Sequence, residues 1–382
     1  MRIARFGLAL AALTLAGCSS WNPLVTVGLM SEPPNKPAKL TPVNALVTPR
    51  AVWSTKVGKS RGFSFRPAYS GGRIYTADGD GTISALDEDS GKVVEKIETK
   101  KKLSGGVEVG DGMVVAGTMK GEVVAIDVGG KPRWEAKVGG EVIAPAAISN
   151  KVVVIRTADG RIMGLSADDG KRKWIFQRQS PSLLLRSESG VLAIGKDVVA
   201  GYPNGKLIAL DIDSGQQTWE VTVSLPRGAT ELERIADVAG LPAVDGGTVC
   251  AGAYQGKLAC FDIASRNQIW SRDVSTSRTV AVDKKNVYAV DDTSAVQALD
   301  KVSGASVWKQ DKLLNRRLTA PVMLDGRVVV GDLDGYLHVI SPDNGEIVGR
   351  MATDGTQVTS IVPIAGGLIV QTAGGTVALV KI

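Results

Sequence analysis

One unit of about forty residues recurs eight times after Ala51, and no other feature narrows the possible folds as far. Each copy has a β-branched apolar run, a turn ending in glycine, a second apolar run ending near aspartate, and often a GKxxW-like close. The copies read RIYTADGDGTISALD, MVVAGTMKGEVVAID, VVVIRTADGRIMGLS, VVAGYPNGKLIALD, TVCAGAYQGKLACFD, NVYAVDDTSAVQALD, RVVVGDLDGYLHVIS and LIVQTAGGTVALVK. Their turn positions are Gly81, Gly121, Gly160, Gly205, Gly256, Ala295, Gly335 and Gly375, at successive intervals of 40, 39, 45, 51, 39, 40 and 40 residues.

Each copy holds two strong strands joined by a hairpin whose glycine tolerates positive φ. A weaker strand precedes them, as in IAPAAIS before the third copy, and a fourth begins at a tryptophan. Four antiparallel strands per unit predict an all-β, eight-bladed propeller. Trp134, Trp174, Trp219, Trp270 and Trp308 supply rings able to wedge between neighbouring sheets. Glu95 and Gly349 break that pattern in the first and seventh copies, so those blade contacts should differ. The eighth copy lacks its tryptophan strand, whereas VWSTKV, with Trp53, stands unpaired at the other end. Pairing the two closes the ring and removes two open sheet edges.

Composition agrees with this reading. With 45 Gly, 16 Pro and 5% aromatics in 382 residues, turns outnumber long helices. A net charge of +6 with no basic cluster interleaved with aromatics predicts no nucleic-acid partner. The chain starts MRIARFGLALAALTLAGC, two arginines and an apolar run from Phe6 to Ala16 that is too short to span a bilayer. LAGC at 15–18 resembles the bacterial lipobox, which implies a signal peptide over residues 1–17, cleavage before Cys18 and acylation of that cysteine. Acyl chains anchor a protein without any transmembrane helix. Ser19 resembles the residue that permits transfer to the outer membrane. Residues 18–49, proline-rich and aperiodic, read as a flexible tether, which leaves 50–382 for the propeller.

Catalytic groupings are sparse. The single histidine, His338, lies in a strand of the seventh copy with no nucleophile or metal-ligand spacing around it. Asp87, Asp127, Asp211, Asp262 and Asp300 recur once per copy at a strand end, which points to turn capping by a short carboxylate. Cys250 and Cys260 flank one hairpin; a disulfide and a pair of buried thiols are both open, the thiols being the more ordinary outcome. The repeats resemble those of quinoprotein dehydrogenases, whose propellers bind pyrroloquinoline quinone and calcium. Those enzymes are longer and use adjacent cysteines beside the cofactor, which this chain lacks, so that resemblance implies fold and not activity. No cofactor or metal is expected, and a quinone-dependent oxidoreductase is the alternative function.

The two stretched intervals place extra residues after the tryptophan strands of the third and fourth copies, in QSPSLLLRSESG and RGATELERIADVAG. In a propeller these connectors rise side by side on one face, where long loops on a rigid scaffold commonly bind. An extended first connector would point Leu183 and Leu185 one way and Leu184 and Arg186 the other. Glu231, Glu233 and Asp237 would supply an acidic rim around an apolar centre.

Lipobox, tether, eight units and these two insertions together resemble the BamB family, lipoproteins of the bacterial β-barrel assembly machinery. The likeness runs from Cys18 to Ile382, and SLLLRSES, TELERIADV, LLNRRLTAPV and VVVGDLDGYLHVI carry it most specifically. It implies a non-catalytic protein, lipid-anchored at the periplasmic face of the outer membrane. It also implies binding to the POTRA domains of BamA and help in folding and inserting outer-membrane proteins. The family's contact residues fall on Leu183, Leu185, Arg186 and Asp237, and a second family aspartate falls on Ala239. Direct pairing with nascent outer-membrane proteins is a further expectation, and ring closure leaves only short outer edges for it.

Overall fold

The computed structural model describes residues 35–382 apart from 180, 182, 187 and 189. Cys18 and the expected signal peptide lie outside the described residues. The unit from Pro37 to Ile382 holds thirty-two strands in eight four-stranded antiparallel sheets, with no helix among the described residues. Blades 1 to 7 occupy residues 68–98, 103–137, 147–176, 192–222, 243–272, 281–310 and 322–352. Blade 8 joins residues 358–381 to Arg50–Lys56.

Chain order equals spatial order within blades 1 to 7, so each blade is a meander. The first strands of blades 1 to 4 touch in succession, as do those of blades 5 to 8, so first strands lie innermost and tryptophan strands outermost. The two middle strands of a blade are covered on both faces, which is why they read as unbroken apolar runs rather than alternations. Met113–Thr118, for example, is buried at every position. The core is therefore divided into layers between neighbouring blades; one layer joins Met113, Val115 and Trp134 of blade 2 to Val153, Ile155 and Met163 of blade 3.

Tryptophan closes these layers as a wedge with a hydrogen-bonding tip. The indole N–H of Trp134 donates to the Ala167 carbonyl of the next blade at 2.9 Å, Trp174 to Ile212 at 2.9 Å, Trp270 to Lys301 at 2.8 Å and Trp308 to Pro342 at 2.7 Å. The turn that receives the ring has no room for a side chain: a Cβ at Gly304, whose φ is +68°, would stand 2.5 Å from Trp270 Cδ2. The recurring aspartates cap that same turn. Asp87, Asp211, Asp262 and Asp300 each accept the backbone N–H and the hydroxyl of a serine three residues on, at 2.5–2.9 Å. The serine hydroxyl, followed by the backbone N–H, holds each of these four carboxyls below the usual range.

Ring closure follows the sequence expectation. Arg50–Lys56 pairs antiparallel with Thr376–Lys381, from Arg50 opposite Lys381 to Lys56 opposite Thr376. Trp53 then does for blade 1 what its counterparts do elsewhere, donating to the Glu88 carbonyl at 2.7 Å. The seam has its own core, with Ile74 and Leu86 of blade 1 against Ile369, Val377 and Leu379 of blade 8. It also carries a buried polar clasp. Thr76 Oγ1 donates to Gln371 Oε1 at 2.6 Å, and Gln371 Nε2 donates to the Ala77 carbonyl at 3.2 Å.

Two features differ from the sequence reading. Cys250 and Cys260 are disulfide-bonded rather than free; they sit directly opposite in the blade 5 hairpin with Cα atoms 4.1 Å apart, the close spacing of a non-hydrogen-bonded pair. The segment read as tether is also partly docked. Ala38 N–H donates to the Leu314 carbonyl at 2.9 Å, and Leu46 N–H donates to that of Val348 at 2.8 Å.

Candidate partner-binding site

In each blade the central hairpin turn and the connector to the next blade share one face, a consequence of antiparallel order. The described residues of 177–191, between blades 3 and 4, and residues 223–242, between blades 4 and 5, belong to that face. They meet there. Asp237 Oδ2 accepts the Leu185 backbone N–H at 2.8 Å, and its Oδ1 accepts that of Asn204, in the blade 4 hairpin turn, at 3.3 Å. Tyr254 N–H donates to the Asp237 carbonyl at 2.9 Å. Asp237 is buried, and burial pushes its carboxyl up while the two N–H donors and Arg156 oppose that shift.

The four leading candidates therefore come together in different roles. Leu183 is 45% exposed, whereas Leu185 is half-buried. Residues 183–186 form no strand, so the expected alternation is absent: Leu184 and Leu185 both line one small cavity with Ile143, Arg156, Pro203 and Val238. Arg186 is exposed and leans over the blade 2–3 junction, where its Nη2 lies 3.1 Å from Glu141 Oε2 and 3.3 Å from Met119 Sδ.

The expected acidic rim is used locally. Glu233 accepts the N–H groups of Ala229 at 2.7 Å and Thr230 at 3.1 Å, while Thr230 Oγ1 accepts the Glu233 N–H at 3.2 Å. That reciprocal pattern is a capping box, legible in the sequence as TxxE, and it explains why backbone N–H groups hold the Glu233 carboxyl low. Glu231 pairs with Arg234 at 3.2 Å. Ala239 is buried between blades 4 and 5, so its methyl packs and offers no polar group to a visitor. Leu225 and Leu232, missed in the sequence reading, are 63% and 64% exposed on the second connector. Isolated leucines in a loop carry no periodicity, and this left them without a signal.

Asp237→Ala is expected to free the first connector and leave the Leu185 and Asn204 N–H groups unpaired, at about 1–3 kcal/mol. Hydrogen exchange at the Leu185 amide should accelerate, and Asp237→Asn, which keeps a carbonyl oxygen, should have the smaller effect.

Among the described residues, no group of three or more His, Cys, Asp or Glu side chains is arranged to hold a metal ion. The propeller's two cysteines bond each other inside blade 5.

Comparisons with known proteins agree with this architecture. A family model described as outer membrane protein assembly factor BamB matches residues 79–310. The BamB of Nitrosomonas eutropha is 43% identical over 338 residues, covering 88% of this chain and 81% of that protein. The Escherichia coli K12 protein of the same name is 35% identical over 383 residues, covering 96% of each. The crystal structure of BamB from Moraxella catarrhalis superposes with a TM-score of 0.82 at 26% identity, covering 88% of this chain and all of that one. Quinohemoprotein alcohol dehydrogenase from Comamonas testosteroni, at 14% identity and a TM-score of 0.69, shares the fold alone. The chain belongs to the BamB family of outer membrane protein assembly factors.

Proposed function

We propose that this chain is a non-catalytic platform, lipidated at Cys18 and held at the periplasmic face of the outer membrane, that binds the POTRA domains of BamA. Its signal peptide would be residues 1–17, and the anchored chain would leave the membrane through a proline-rich leader. The observation that carries the docking role is the Asp237–Leu185 hydrogen bond, which welds two long connectors from neighbouring blades into one surface. On that surface Leu183 and Arg186 face solvent. They are the groups that touch the partner: an aliphatic anchor beside a guanidinium able to fork onto a carboxylate. Leu185 and Asp237 position them from below. The platform orients the POTRA domains, and the lipid raises its effective concentration at the membrane.

The test is binding of a purified POTRA fragment to the wild type and to Leu183→Ala and Arg186→Ala. Each substitution is expected to weaken affinity at least about tenfold, roughly 1.4 kcal/mol. Both side chains are exposed, so melting temperatures should stay near the wild-type value. Unchanged affinity in both folded variants overturns the assignment.

A further inference from the structure

Blade 7 carries Gly349 on its outer strand where six other blades, counting blade 8 with Trp53, carry tryptophan. The chain's own N-terminal segment fills the slot this leaves. Leu46 and Val47 both donate their backbone N–H to the Val348 carbonyl, at 2.8 and 3.1 Å. A Cβ at Gly349 would stand 2.8 Å from the Val47 carbonyl oxygen and 2.9 Å from its Cγ2. Earlier in the segment two arginines grip main-chain carbonyls. Arg350 Nη1 donates to that of Thr41 at 2.8 Å, and Arg316 Nη1 to that of Ala38 at 2.9 Å.

Behind both arginines lies His338, fully buried. Its Nε2 is 2.9 Å from Asp332 Oδ2, and its Nδ1 accepts from Arg350 Nε at 3.2 Å. A guanidinium can only donate, so Nδ1 is unprotonated and the neutral ring carries its proton on Nε2. A second proton has one place to go, Nδ1, and there it meets the Arg350 N–H head-on.

We propose that residues 38–47 form a releasable strap and that protonation of His338 opens it by expelling Arg350 from the Thr41 carbonyl. The charged and titratable groups around the imidazole are Asp332 from the preceding turn, Arg350 from the outer strand, Arg316 from the connector, Asp334 bound to Arg316, and the ring of Tyr336. The strap itself presents carbonyls. Burial draws the imidazole pKa below its ordinary value, and Asp332 resists that shift only in part. The closed state thus takes up the proton less readily than the open one. Strap closure is strongest above about pH 6.5. It weakens about tenfold per pH unit as pH falls toward the lowered pKa of the closed state. Opening frees residues 38–49 to extend, adding up to about 40 Å of reach to the leader.

Amide hydrogen exchange on the full chain, corrected for intrinsic rates, tests this at pH 7.5 and 5.0. Protection at Ala38, Leu46 and Val47 should fall about tenfold or more at the lower pH, while amides of Val328–Val330 hold. His338→Gln retains an acceptor and a donor without titrating, and should abolish the difference. Arg350→Ala should open the strap at both pH values, and it decides the matter if His338→Gln fails to fold. Equal wild-type protection at both pH values, an unchanged pH response in folded His338→Gln, or full protection in Arg350→Ala each overturns the strap. POTRA binding is a separate readout, since its surface lies on blades 2 to 5.

Discussion

A chain beginning at Val57 is expected to lose the last blade as a cooperative unit, while one beginning at Arg50 stays folded and monomeric. Truncation at Val57 strips Thr376–Lys381 of its outer partner along the whole register from Arg50 to Lys56. It also removes Trp53, whose ring lies on the Gly91 turn of blade 1 and whose N–H binds Glu88. Trp53 is partly buried, so loss of its ring costs up to about 3 kcal/mol, the low end for a buried aromatic. Each ladder hydrogen bond adds about 1 kcal/mol, and a folded domain holds only about 5–15 kcal/mol in all. The bared edge should also recruit other copies. Size-exclusion chromatography and thermal denaturation of the two truncations measure both effects. A synthetic peptide of residues 50–57, added in trans, should restore the monomer. Equal stability of the two truncations would mean that the ring does not depend on its first strand.

Asp332→Ala should be the most damaging single substitution among the hairpin-turn aspartates, at about 3–5 kcal/mol. Its Oδ2 receives Arg316 Nε at 2.8 Å and Nη2 at 2.7 Å as well as His338, and Arg316 is only 4% exposed on its side chain. Its Oδ1 accepts the N–H groups of Asp334 at 3.0 Å and Tyr336 at 2.9 Å. Removing the carboxylate leaves a buried guanidinium held only by Asp334 and the Ala38 carbonyl. Asp291 is the natural comparison. It occupies the same turn position in blade 6 and accepts Thr293 and Ala295 N–H, but its cation is Lys309, 53% exposed. Asp291→Ala should therefore cost only about 1–2 kcal/mol, because water can take over for the lysine. Urea denaturation of both variants reads the contrast. Equal losses would show that turn capping, not the buried arginine, dominates.

The eight blades were legible because hairpin chemistry is local: glycine, aspartate and tryptophan recur at fixed offsets within one unit. Closure was legible for a related reason, since a missing strand at one end matched a spare strand at the other. What stayed hidden depends on partners far away in sequence. Nothing local in NKPAKLTPVNALV says that Ala38 and Thr41 meet Arg316 and Arg350. Gly349 showed only that a ring was absent, and not that Val47 takes its place. Asp237 read as part of an acidic rim with Glu231 and Glu233, although Ile235, Ala236, Val238 and Ala239 flank it. Its burial follows from a donor, the Leu185 N–H, contributed by another blade connection. The disulfide likewise depended on register, which sets Cys250 opposite Cys260 and not merely near it.

Pairing the first strand with the last has a consequence for biosynthesis. Arg50–Lys56 leaves the ribosome long before Thr376–Lys381 exists, so the earliest-made strand must wait unpartnered while seven blades are added. The slow, non-local step falls at the end of folding, when the longest loop in the molecule is closed. A nascent chain interrupted anywhere before Thr376 retains a loose strand at one end and an open sheet at the other. Both edges are hidden only once Thr376–Lys381 pairs with Arg50–Lys56, and until then they are exposed to unwanted strand pairing.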